Sequence, residues 1–84
     1  MNKSICVHVL LFASLREQAG WQERKYIFNE IKQADITPRR LWQELEMNGS
    51  LSAVRIAINQ QFADADTQLQ GGDEVAFLPP ITGG

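Results

Sequence analysis

The run Ile5-Cys6-Val7-His8-Val9-Leu10-Leu11-Phe12 constrains the fold more than any other part of the chain. It is of strand length, far too short to cross a membrane, and rich in β-branched side chains that favour extended backbone. In a strand, Ile5, Val7, Val9 and Leu11 point to one face and Cys6, His8, Leu10 and Phe12 to the other. Both faces are largely apolar, which places the run inside a sheet and not at its edge. A chain of 84 residues, 44% of them apolar, has room for one such core and no second domain. It contains no internal repeat, low-complexity block or linker.

The remaining signals arrange themselves around that strand. Ser14 to Gly20 reads as a short helix, with Ser14 as N-cap, Gly20 as stop, and Leu15 and Ala19 on its buried side. Glu23 to Phe28 is a second strand, paired with the first and nearer an edge. Thr37 caps the main helix, Pro38 suits its first position, and Ile36 is placed to staple onto Leu41. Leu41, Trp42 and Leu45 form the apolar stripe, and Asn48-Gly49 is the expected end. Val54 to Asn59 alternates cleanly, with Val54, Ile56 and Ile58 inward. A turn at Asn59-Gln60 leads to a short strand at Gln61 to Ala63. Asp64 to Gln70 is loop, with Leu69 as its apolar anchor. Gly71-Gly72-Asp73 then turns the chain into a last strand, Glu74 to Leu78.

After Leu78 the sequence reads Pro79-Pro80-Ile81-Thr82-Gly83-Gly84. Two prolines cannot continue a helix or a central strand, so the sheet stops at Leu78 and the chain leaves it extended. At about 3.3 Å per residue these six residues reach roughly 20 Å, enough to thread a narrow channel in another protein. The division expected is therefore a folded domain over residues 1–78 and a flexible functional tail over 79–84. A Gly-Gly end by itself reads more readily as a frayed terminus. A stiff Pro-Pro spacer joined to a core strand favours a device that presents the terminal carboxylate.

A net charge of −2 and a sequence pI of about 5.2 give no general attraction to nucleic acid or anionic membrane. A single cysteine excludes an internal disulfide framework and a cysteine-based zinc site, and it fits a reducing compartment. The opening Met1-Asn2-Lys3-Ser4 has no leader pattern after it, so a cytoplasmic location is expected. Cys6 has no basic neighbour in sequence to activate its thiol and reads as packing. His8 lacks the partners of a metal or nucleophile site and reads as a half-exposed strand residue. Asp64 and Asp66 are weak as a cation pair, and Trp21 and Trp42 read as packing residues. Gly71-Gly72 lacks the strand-to-helix setting of a phosphate loop.

The order β, short α, β, α, β, short β, β with an extended tail resembles the ubiquitin-like β-grasp. This is an α+β fold with a mixed sheet of four or five strands on one main helix. More specifically, the chain resembles the small sulfur-carrier subunits of molybdopterin synthase. The resemblance rests on Leu11 to Glu17, the Thr37 to Leu45 helix, Val54 to Gln60 and, above all, Leu69 to Gly84. Trp21 to Asp35 matches least well.

The resemblance implies a parallel, central pairing of the first and last strands and a carrier that is not catalytic alone. The Gly84 carboxylate would be adenylated by an E1-like adenylyltransferase and converted to a thiocarboxylate. The sulfur would then pass to cyclic pyranopterin monophosphate inside the synthase. ATP and magnesium would be used by the activating enzyme, with no cofactor held stably and no metal site on this chain. The implied partners are the large catalytic subunit, in a heterotetramer of two small and two large subunits, and the E1-like enzyme. The chemistry accounts for the glycines: a carboxylate is an anion and a poor electrophile until a leaving group is attached, and Gly83 and Gly84 carry no Cβ to obstruct the reagents.

Phe12, Phe62 and Leu78 are the expected apolar seat for the partner, with Pro79, Pro80, Ile81 and Thr82 continuing the contact and Arg16 and Arg55 at its rim. The competing reading for the phenylalanines is a small second core. Two other functions stay open at this point. One is a carrier for thiamin thiazole synthesis or a ubiquitin-like modifier; the other is a β-grasp binding module with an inert tail.

Overall fold

The computed structural model describes residues 4–29 and 32–80. Five strands form one mixed sheet: β1 (Ser4–Leu11), β2 (Glu23–Asn29), β3 (Arg55–Ile58), β4 (Gln61–Phe62) and β5 (Glu74–Leu78), in the order β2-β1-β5-β3-β4. β1 runs antiparallel to β2 and parallel to β5, with Val9 beside Val75 and Leu11 beside Phe77. β3 pairs antiparallel with both β5 and β4. The first strand is thus flanked on both sides, as its apolar composition requires. The last strand lies at the centre.

Alternation sorts the two faces. Val7, Val9 and Leu11 of β1, Phe28 of β2, Ile56 of β3 and Val75 and Phe77 of β5 are all buried. They form one cluster with Leu15 of α1 (Ser14–Ala19) and with Leu41 and Trp42 of α2 (Pro38–Glu44). Trp42 meets Phe77 edge-on, with ring centroids 5.2 Å apart, and its indole N–H donates to the Gly49 carbonyl at 3.3 Å. The buried indole therefore loses no hydrogen bond to water. Leu69, fully buried, anchors the long loop, and its backbone N–H donates to the Ile36 carbonyl at 2.7 Å. Two one-turn 3-10 helices, Gln33–Asp35 and Leu51–Ala53, lie in stretches to which the sequence reading assigns no element.

The main helix starts as expected and stops sooner. The Thr37 side chain accepts from the Arg40 N–H at 3.1 Å, Pro38 opens the first turn, and Ile36 and Leu41 are both fully buried. It ends at Glu44 and not at Asn48-Gly49. Glu46 adopts φ 54°, and the Met47 and Glu46 N–H groups donate to the Trp42 and Gln43 carbonyls. That is a Schellman closure with a glutamate in the left-handed position usually given to glycine. It turns Met47 back onto the core.

Outside the core, Arg39 holds Asp66 through two hydrogen bonds at 2.8 and 3.1 Å, tying the long loop to α2. The guanidinium keeps the Asp66 carboxyl below its usual range. Tyr26 of β2 donates to Glu44 of α2 at 2.7 Å, and that hydrogen bond to a carboxylate pushes the phenol above its usual range.

Candidate functional site

The end of β5 brings the sequence-predicted residues together. Because Leu11 lies beside Phe77, Phe12 comes level with Leu78, the last sheet residue before Pro79. The Phe12 N–H donates to the Phe77 carbonyl at 3.3 Å, a weak continuation of the ladder just past the end of β1. Across β5, Ala57 of β3 lies beside Ala76 and pairs in turn with Phe62 of β4. Every second residue of these strands faces away from the core. Leu10, Phe12, Ala57, Phe62, Ala76 and Leu78 therefore share the open face with Gln60 and Glu74, lining a groove of about 340 Å³.

Phe12 is 44% exposed and Phe62 66% exposed, so the phenylalanines do not complete a second core. They stand as walls around a floor of small residues. Ala57 and Ala76 are what keep the floor low; larger side chains there would fill the groove. These two residues, with Leu10, are missing from the set read off the sequence. The signal for them was present, since Leu10 has the parity of Phe12, and Ala76 that of Leu78.

Two turns fix the walls. Asn59 and Gln60 both have positive φ, 51° and 69°, which matches the tight twist of a two-residue hairpin between β3 and β4. The Asn59 amide accepts from the Glu74 N–H and donates to Asp73, each at 3.0 Å, so the hairpin that carries Phe62 is locked to the start of β5. On the other side, Ala13 has φ 51° and ψ −127°, a conformation sparsely open to a residue with a Cβ. The sequence reading made Ser14 the N-cap of α1. The cap position is Ala13, with no side-chain cap, because the chain must swing sharply after Phe12 to lay Leu15 on the core. Gly20 closes α1 in the left-handed region, as read.

Arg55 stands opposite Leu78 in the β3–β5 register, and its guanidinium carbon lies 4.4 Å from the Phe62 ring centre. Arg16 is exposed on α1 and lines a neighbouring hollow with Leu10 and Phe12. Pro79 is half-buried and Pro80 exposed; Ile81, Thr82, Gly83 and Gly84 lie outside the described residues.

The expectation for Cys6 needs correction. It is exposed, on the outward face of β1 opposite Ile27, and among the described residues no layer covers it. His8 is half-exposed on the same face, its Nε2 3.0 Å from Glu23 Oε2. Trp21 and Trp42 both pack on the core, as read. Asp66 is engaged by Arg39, and no group of three metal-ligating side chains exists among the described residues.

The family model described as the ThiS family matches residues 9–84. This chain belongs to the ThiS family. The ThiS-family chain is 34% identical over 83 residues to the molybdopterin synthase sulfur carrier subunit of Escherichia coli (strain K12), covering 93% of this chain and 99% of that protein. It is 37% identical over 86 residues to the subunit of the same name from Homo sapiens, covering 93% of each. Its fold is similar to a chain in the protein–protein complex of subunits 1 and 2 of the molybdopterin-converting factor from Helicobacter pylori 26695. There the TM-score is 0.58 and the identity 26%, over 95% of this chain and all of that one. The ubiquitin-like β-grasp is therefore the fold of this ThiS-family chain.

Proposed function

We infer that this chain is the sulfur-carrier subunit of a molybdopterin synthase, acting in molybdenum cofactor biosynthesis and not catalytic by itself. The observation that carries this reading is relatives of that one name, 34% and 37% identical, aligned over nearly the whole chain.

The chemistry of the carrier is placed at Gly84. A carboxylate oxygen of Gly84 attacks the α-phosphorus of ATP on an E1-like enzyme, and pyrophosphate leaves. Hydrosulfide then displaces AMP, which departs with one carboxylate oxygen, and a thiocarboxylate remains; with a persulfide donor the product is an acyl disulfide, which a thiol cleaves to thiocarboxylate and a disulfide. Magnesium belongs to the ATP on the activating enzyme, and this chain keeps no cofactor. In the synthase the thiocarboxylate sulfur passes to cyclic pyranopterin monophosphate, and water restores the carboxylate. The large subunit supplies the pterin site and the acid–base groups. A complex of two small and two large subunits, in the cytoplasm, is the assembly this reading implies.

The groove beside β5 is proposed as the seat for the large subunit. What supports this is an open apolar surface walled by two exposed aromatics, where the chain leaves the sheet toward its tail. Pro79 and Pro80 stiffen the departure, and Ile81, Thr82, Gly83 and Gly84 would lie in the partner's channel.

The test is intact mass after incubation with the E1-like enzyme, ATP and a sulfur donor. The parent chain should gain the mass difference between sulfur and oxygen, and a chain lacking Gly84 should not. The modified chain mixed with large subunit and pterin precursor should then yield molybdopterin. No mass gain, or a gain that survives deletion of Gly84, would refute the reading.

A further inference from the structure

Arg55 is held differently from Arg39 and Arg40, and like Arg24 on Trp21 it rests on an aromatic ring. Arg39 is held by Asp66 and Arg40 by Glu44, at 2.8 and 3.2 Å, so their charges are answered within the domain. Among the described residues no carboxylate pairs with Arg55; its guanidinium rests on the Phe62 ring, 4.4 Å from the centroid. A ring face attracts the cation but accepts little of its hydrogen-bonding capacity. The stacked guanidinium keeps its fork of N–H donors in one plane and in a restricted position, ready for a planar bidentate acceptor.

Its place makes this useful. Arg55 is exposed on β3, opposite Leu78, where the chain leaves the sheet for the tail. Phe62, on which it rests, walls the docking groove, and Glu74 lies along the same groove. A single guanidinium at this end of the sheet, on a chain of net charge −2, suits one carboxylate and not a polyanion such as nucleic acid.

We propose that Arg55 is a specificity residue of the docking seat, which receives an Asp or Glu carboxylate from the rim of the large subunit's acceptor surface. This inference rests on the sulfur-carrier reading. The apolar groove supplies non-directional burial, while a bidentate ion pair next to Leu78 sets the rotational register in which the tail meets its channel.

The experiment measures the Kd of the full-length carrier for its large subunit between low and high salt, for the parent, Arg55→Lys and Arg55→Gln. Arg55→Gln should bind about tenfold more weakly at low salt and with a shallower salt dependence, since the lost contact is charged. Arg55→Lys, which keeps charge and loses the planar fork, should fall between. Thermal midpoints should agree within experimental scatter, because Arg55 is exposed. A parent-like Kd for Arg55→Gln, or a weakening equal at every salt concentration, overturns the inference and leaves the carrier reading standing. A parent chain that neither binds the large subunit nor supports molybdopterin formation overturns both.

Discussion

Ala13 is held in a backbone conformation that favours glycine. Its φ of 51° and ψ of −127° are open to glycine and costly for alanine, yet that turn sets Phe12 at the groove and Leu15 in the core. Replacing it by glycine removes the steric cost and adds some freedom to the unfolded chain. Ala13→Gly should stabilise the domain by about 1 kcal/mol in urea denaturation; a loss of stability would show that the backbone there is not strained. Cys6 marks the opposite case, a residue whose environment could not be read locally. Its alternation with Ile5 and Val7 was plain, but burial on that face depends on a covering layer, which the described residues do not supply over Cys6. Nothing in the residues adjacent to it announces that.

At the scale of elements, the strands were the most legible, because period-two alternation states both type and face. Helix beginnings were legible for a similar reason: Thr37, Pro38 and the Ile36–Leu41 staple are local signals with local partners. The end of α2 was not. Asn48-Gly49 is the stronger stop signal in the sequence, but the chain turns at Glu46 so that Met47 can reach the core. Packing overrides the preference of one backbone position when the gain is apolar side-chain surface laid on the core. If that account is right, Glu46→Gly should preserve the closure without the left-handed strain. A rise of about 1 kcal/mol in unfolding free energy is expected, with no change in partner affinity. Loss of helix by circular dichroism in this variant would refute it.

For the whole molecule, one sheet separates two tasks. The inner face holds the domain together and the outer face is free to be used by another protein. Phe77 and Phe62 make the contrast measurable, one at 0% exposure and the other at 66%. Phe77→Ala leaves a cavity among Leu11, Ile56 and Trp42 and should cost about 3–5 kcal/mol, a large part of the stability of so small a domain. Phe62→Ala should leave the thermal midpoint nearly unchanged and weaken binding to the large subunit by about tenfold or more, as loss of an aromatic interface anchor does. A large stability loss in Phe62→Ala would move that ring from the seat to the core.

The sequence by itself determined the order of elements, the division of β1 into two faces, the inward residues of β3, the cap of the main helix and the Pro-Pro break at which the sheet stops. These follow from alternation and backbone restrictions that act within a few residues. The tertiary structure alone decided the groove. Leu10, Ala57 and Ala76 lie far apart along the chain and become one floor only through the parallel β1–β5 and antiparallel β3–β5 registers. It also decided that Arg55 rests on Phe62 at the point where Leu78 ends the sheet, since that contact depends on a hairpin locked by Asn59 to β5. Register is a property of paired strands, and no single strand carries it.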